Sequence, residues 1–190
     1  MGQEKPFTKV QLFAGLIFQN KVDVDSIFSV LESQFNSKID TVSDIFNFDH
    51  STYYQAEMGY DLKRIFISFT SLIEPDLAYR YKGISNKIEM DYTNDNCRYI
   101  NIDPGILSLH NILLFSTKNF SHRIACGQGI YTELTLLFSK EGYSSLAWTY
   151  PDYKQVNIQN YFLKLRKRYH KKLTDGAINY VCYCIFNRRF

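Results

Sequence analysis

VQLFAGLIF, residues Val10–Phe18, is a mostly apolar run of β-formers and reads as a strand. Downstream of it, Asp23–Phe35 reads as a helix. Asp23 or Asp25 can cap it, and Ile27, Val30, Leu31 and Phe35 recur at helical spacing. Ile39–Phe48 alternates weakly and reads as a second strand. Leu62–Phe69 reads as a third, with Arg64, Phe66 and Ser68 on one face and Ile65, Ile67 and Phe69 on the other. Pro75 can open a second helix running through Leu77, Tyr81, Ile84 and Ile88. Asn94–Asn96 reads as a loop. Arg98–Asp103 alternates cleanly and runs into Pro104-Gly105, which reads as a turn. The order β-α-β-β-α-β is the ferredoxin-like pattern.

The second half reads as strands at Ile112–Phe115, His122–Ala125, Ile130–Phe138 and Tyr143–Trp148. Pro151-Asp152 breaks the chain. Val156–Lys172 then reads as an amphipathic helix with Ile158, Phe162, Leu165 and Tyr169 on one stripe. The expected class is α+β: an antiparallel or mixed sheet with a ferredoxin-like opening, a β-rich second half and a C-terminal amphipathic helix. Residues 1–173 make one domain. Residues 174–190 form an apolar extension (AINYVCYCIF, then Asn-Arg-Arg-Phe) expected to pack on the domain or on another subunit, because in water it would aggregate.

The 190 residues suit one domain, and 45% hydrophobic against 22% charged residues excludes disorder as the main state. The longest apolar runs are a few residues, so no membrane-spanning helix is expected. The start, MGQEKPFTK, leads into no signal-peptide apolar region, and a cytoplasmic location with reduced thiols is the expectation. Cys97, Cys126, Cys182 and Cys184 lack zinc-site spacing. There is no GxxxxGK[ST], no Rossmann glycine triplet, no GxSxG elbow and no HExxH.

Aromatic residues reach 16%, with 15 Tyr and 15 Phe, enough for a β-rich core or a stacking surface. Charge is unevenly placed. Residues 1–153 hold 13 Lys and Arg against 18 Asp and Glu, whereas 154–190 hold nine against one. An acidic body thus carries a basic end, the kind of segment that meets RNA or an acidic partner.

Polar residues recur on single strand faces: Arg64 with Ser68, Tyr99 with Asn101 and Asp103, Tyr131 with Glu133 and Thr135. Such faces are either the wet side of a one-sided sheet or the lining of a ligand site. Two loop-rich stretches add to them. Phe46–Gly59 concentrates Asp49, His50, Tyr53, Tyr54 and Glu57, and Ser116–Arg123 concentrates Ser116, Thr117, Lys118, His122 and Arg123. Arg offers a fork, Lys a point charge and hydroxyls further donors, a set suited to phosphate, while His122 can carry a proton near neutral pH. Asp49, Glu57, Asp103, Glu133 and His122 also include the donor types a divalent metal takes, with no spacing that fixes their distances.

FDxxxYYxxEMG (Phe48–Gly59), NxDPG (Asn101–Gly105), STKxxxHRI (Ser116–Ile124), GIYxExTL (Gly129–Leu136) and WTYPDY (Trp148–Tyr153) follow one another in close order. Together with the LFAGLIF start they resemble the bacterial domain-of-unknown-function family 4416, over roughly residues 10 to 170. The resemblance implies no established activity. Its motifs coincide with the polar stretches reached from the residues themselves.

Two functions compete. In the first, a phosphorylated small molecule or nucleotide is bound or processed in a strand-and-loop site. His122, Glu133 and Asp103 are its candidate catalytic groups, and Asp49, Tyr53, Tyr54, Glu57, Arg64, Asn101, Lys118, Arg123 and Tyr131 its candidate ligand-binding groups. In the second, Lys164, Lys167, Arg168 and Lys171 follow one face of the last helix and bind RNA or a protein. The sequence leaves open whether the protein is an enzyme.

Overall fold

The computed structural model describes residues 2–49, 54–95 and 97–186, with side chains described through Asp175. The first strand, β1 (Val10–Phe18), is buried at every position. α1 (Val24–Gln34) follows, capped by the Asp23 carboxylate, which accepts the Asp25 N–H at 3.2 Å. The expected strand at Ile39–Phe48 is two short pieces, β2 (Ile39–Val42) and β3 (Phe46–Asn47), both on the next long strand. After the single turn α2 (Gln55–Met58) comes β4 (Lys63–Ile73), longer than its alternation foretold. Pro75 opens only a 3₁₀ turn, and α3 proper spans Arg80–Asp91. The expected loop is a two-residue hairpin of β5 (Thr93–Asn94) and β6 (Cys97–Arg98). β7 (Ile100–Leu107), β8 (Asn111–Ser116), β9 (Ile124–Gly127), β10 (Ile130–Ser139) and β11 (Gly142–Ser145) complete the strands, and α4 is Val156–Phe186. Tyr143–Trp148 and His122–Ala125 are thus shorter or later strands than expected.

The main sheet runs β11-β10-β8-β7-β1-β4-β2, with β3 on β4 and β9 on β10, and these pairings are antiparallel. The segment β7-β1-β4-β2 has the neighbour order of a ferredoxin-like unit. β8 to β11 widen it on the β7 side. α1 and α3 cover one face, where Leu12, Leu16, Ile65 and Ile67 meet Ile27, Leu31 and Ile88. α4 covers the other, where Phe13 and Phe66 pack on Phe162 at ring distances of 5.0 and 5.2 Å. A sheet covered on both sides explains β1: its position between β4 and β7 leaves neither face wet, and a continuous apolar run is what such a strand requires. The described part of α4 buries Ile158, Phe162, Leu165 and Tyr169, the stripe read from the sequence. Its backbone continues as helix to Phe186, so the apolar tail is continuous with α4. The packing of its side chains lies outside the described residues. No described helix is long and apolar enough to cross a membrane.

Pro104-Gly105 is not a turn. β7 runs straight through it, and Ala14 and Phe13 of β1 face the two residues. The reason lies in the neighbouring strand. β8 pairs with β7 only from Gly105 to Leu107 and then leaves it, while Phe115 and Ser116 continue along β10. N–H groups alternate between a strand's two edges, so Pro104, two residues after Ile102, shares its edge. That edge has no β8 beside it, so the missing proline N–H forfeits no ladder bond. Gly105 marks the point where the strands part. A Cβ there would lie 2.6 Å from the Leu113 carbonyl oxygen and against the Phe13 ring. Gly105→Ala is therefore expected to destabilise the fold by about 1–3 kcal/mol through overpacking, read by urea unfolding. An unchanged midpoint would show that the two strands can separate to accommodate it.

Candidate functional site

Where β7 and β8 diverge, the sheet forks, and a cavity of about 620 Å³ occupies the gap. Ile102 on the exposed inner edge of β7 would have unpaired backbone groups there. Two side chains of α3 satisfy them: Glu89 Oε1 accepts the Ile102 N–H at 2.7 Å and Lys82 Nζ donates to its carbonyl at 2.9 Å. Seven residues apart, Lys82 and Glu89 fall on one helix face, and together they take the place of the absent strand. Glu89 also pairs with Arg98, which reaches Glu57 at 2.9 Å.

The polar faces of β4, β7 and β10 are not a wet side. Arg64, Asn101 and Glu133 are 2%, 4% and 2% exposed. Arg64 lies against Asp152 and Tyr153, Asn101 against Asp103, and Glu133 under His122 and Arg123, contacts that alternation along a single strand does not reveal. Arg64 is placed by Gly15. That residue pairs with Asp103 on one side and Phe66 on the other, and a Cβ on it would lie 2.7 Å from Arg64 Nη2. The missing side chain lets the Arg64 guanidinium lie across β1. Its Nε is 3.1 Å from Asp152 Oδ2, its Nη1 3.7 Å from Asp103 Oδ2, and Nη2 donates to the Tyr153 hydroxyl at 3.4 Å. Asp103 also accepts Lys82 Nζ at 3.4 Å and Asn101 Nδ2 at 2.6 Å. Burial pushes the Asp103 carboxyl up, but the Lys82 and Arg64 charges with these hydrogen bonds outweigh it and hold its pKa below the ordinary value.

The loop between β8 and β9 forms the opposite wall, and Arg123 fastens it. Its Nε donates to Glu133 Oε2 at 2.7 Å and its Nη2 to the Tyr150 hydroxyl at 2.8 Å. Its Nη1 reaches the Lys118 carbonyl at 2.9 Å and Ser116 Oγ at 3.2 Å. The guanidinium is thereby occupied by protein acceptors, and Arg123 holds the loop in place. Burial, reinforced by the Glu133 charge, pushes the Tyr150 hydroxyl up to about 12, against the opposing Arg123 charge. Tyr54 is displaced upward chiefly by burial. His122 lies parallel to Trp148, with ring centres 5.0 Å apart, and edge-on to Phe120 at 5.3 Å. Its Nε2 is 3.1 Å from Glu133 Oε2. A carboxylate only accepts, so Nε2 is the donor in this contact. The other oxygen of Glu133, Oε1, is buried with no hydrogen-bond partner among the described residues.

The structure brings Tyr54, Arg64, Asn101, Asp103, Lys118, His122, Arg123 and Glu133 into the cavity lining. Asp49 is exposed elsewhere, and Glu57 stays behind Arg98. Tyr131 is half-buried beside Ser116, outside the lining. Tyr53 and His50 lie outside the described residues. The cavity also contains residues that sequence reading missed: Lys82, Asn86, Arg98 and Asp152. A Lys82–Glu89 pair adjoining an apolar helical stripe was the available signal for the first. No three His, Cys, Asp or Glu side chains among the described residues gather to hold a metal ion, so Asp49, Glu57, Asp103, Glu133 and His122 are not one metal centre. On α4, Lys164, Lys167 and Lys171 are exposed, while Arg168 is paired with Asp40 at 2.6 Å.

Fold and site together define an α+β protein with a ligand-sized cavity in a forked antiparallel sheet. The chain belongs to the family described as a domain of unknown function (DUF4416), whose model matches residues 8–169. No curated protein and no solved structure matches the chain.

Proposed function

We propose that the forked-sheet cavity binds a phosphorylated small molecule or nucleotide and that His122 moves a proton on it. The observation that carries this reading is the charge of the lining: five fixed cations (Arg64, Lys82, Arg98, Lys118 and Arg123) against three carboxylates (Asp103, Glu133 and Asp152). Glu57 and Glu89 balance Arg98 from behind the wall, so the cavity itself presents mainly cationic and donor groups, which favour an anion. The loop wall contributes Ser116, Thr117, Lys118 and Asn119, whose hydroxyl, ammonium and amide groups are suited to phosphate oxygens. Aromatic walls at Tyr54, Phe120 and Tyr150 suit a planar or apolar remainder, which favours a nucleotide over inorganic phosphate alone.

Thermal unfolding with pyrophosphate, nucleotides, sugar phosphates and short RNA tests this. Ligand at 100 times Kd adds about 2.7 kcal/mol of stability and raises the melting temperature. The shift is expected with a phosphorylated small molecule and is expected to fall in Lys118→Ala. No shift with any such compound would overturn the reading. So would a shift with RNA alone that disappears in salt and in Lys164→Ala/Lys167→Ala, because it would move function to α4.

A further inference from the structure

We infer that Asp103 receives the vicinal diol of a sugar, so that the ligand is a sugar-borne phosphate with both hydroxyls present. This rests on the phosphorylated-ligand reading above. Three carboxylates line the cavity, and Asp103 is the one a ligand reaches: its side chain is 26% exposed, against 2% for Glu133 and 7% for Asp152. An ionised carboxylate has about four acceptor positions. Oδ1 accepts Lys82 and Oδ2 accepts Asn101, with Arg64 Nη1 at 3.7 Å beyond hydrogen-bond distance, so each oxygen keeps an acceptor position. The partner must therefore bring donors, and bring two side by side to use both oxygens. A single hydroxyl uses one. An ammonium group is repelled by Lys82 Nζ and by Arg64 Nη1, 3.4 and 3.7 Å from the same carboxylate. A phosphate is repelled by Asp103 itself and goes to the loop wall at Ser116–Asn119. Two neighbouring neutral hydroxyls meet every condition. The carboxylate is also fixed in place, by Asn101 on its own strand, by Lys82 from α3 and by Arg64 reaching over Gly15. Such preorganisation makes discrimination between hydroxyl and hydrogen effective.

The test is calorimetric binding to the full chain of pyrophosphate, ribose 5-phosphate, a ribonucleoside triphosphate and its 2′-deoxy and 2′,3′-dideoxy forms. Loss of one hydroxyl is expected to weaken binding about tenfold or more, since hydrogen bonds to a charged group are the strong ones, and loss of both further. Asp103→Asn is expected to shrink the ribo-to-deoxy ratio, which a change in net charge alone would leave as it is. Ribose 5-phosphate binding as tightly as the ribonucleotide assigns the diol to a sugar phosphate; weaker binding assigns it to a nucleotide. Equal affinity for ribo and dideoxy forms in the unmodified protein would overturn the inference while leaving the phosphate reading intact, and needs no variant to fold. If no phosphorylated probe binds, the underlying reading fails and this one with it.

Discussion

Arg123→Ala lowers the stability of this protein by about 3 kcal/mol, the low end for leaving a buried carboxylate without its cation. Glu133 is almost fully buried, and among the described residues Arg123 is the one fixed cation within ion-pair distance of it. For a chain of this size the melting temperature is expected to fall by about 6–12 °C. The same substitution frees the loop from Ser116, Tyr150 and its own Lys118 carbonyl, so the phosphate-induced shift is expected to vanish as well. Adding Glu133→Gln to Arg123→Ala removes the stranded charge. It should recover stability without recovering binding, and a double-mutant cycle over the four proteins measures the split. Recovery of both would show that Arg123 has no part in holding the loop.

Arg64→Met is expected to cost about 3–5 kcal/mol at neutral pH, because Asp152 and Asp103 lose the cation between them. Its pH dependence separates this from a packing effect. Asp103 has a depressed pKa in the folded protein. A depressed carboxyl contributes stability that is present above its unfolded value, about 3.9, and lost as pH falls through the folded value. In Arg64→Met that contribution shrinks, and the stranded carboxylates are relieved by protonation. The gap between the two proteins, by urea unfolding, should therefore narrow from pH 7 to below pH 4. A gap that stays constant across this range would assign the loss to the vacated volume beside Phe66 and Tyr153 instead.

What the sequence made legible follows the range of the interactions involved. β1, α1 and the stripe on α4 are set by local periodicity and a local cap, and each stands where its residues placed it. The ferredoxin-like neighbour order was legible for the same reason: element order and connection rules restrict the arrangements. Pro104-Gly105 misled because a turn dipeptide is harmless in a strand once the neighbour has departed, and that departure is a property of β8, not of Asn101–Gly105. Arg64, Asn101 and Glu133 were legible as a polar set. Their burial was not, since it depends on distant segments: Asp152 and Tyr153, about 90 residues after Arg64, and the loop that carries His122 and Arg123. Lys82 escaped notice because a lysine beside an apolar helical stripe ordinarily reaches water, whereas here the Ile102 carbonyl and Asp103 give it interior partners. Gly15 was invisible for a related reason: its role is to leave room for an arginine from another strand.

Lys82 and Glu89 at the inner edge of β7 have a consequence for how durable the chamber is. Two adjacent strands with free edges would gain hydrogen bonds by zipping shut, and a hollow between them would then close whenever it was empty. Here the edge groups that zipping would need are already engaged, by an ammonium and a carboxylate that would have to be stripped of their partners first. The chamber is thus a standing gap in the ladder, not space left over by small side chains. Changes in wall residues can be expected to retune which compound fits while the opening itself persists, so a family built on this plan could diversify its ligands without rebuilding its sheet.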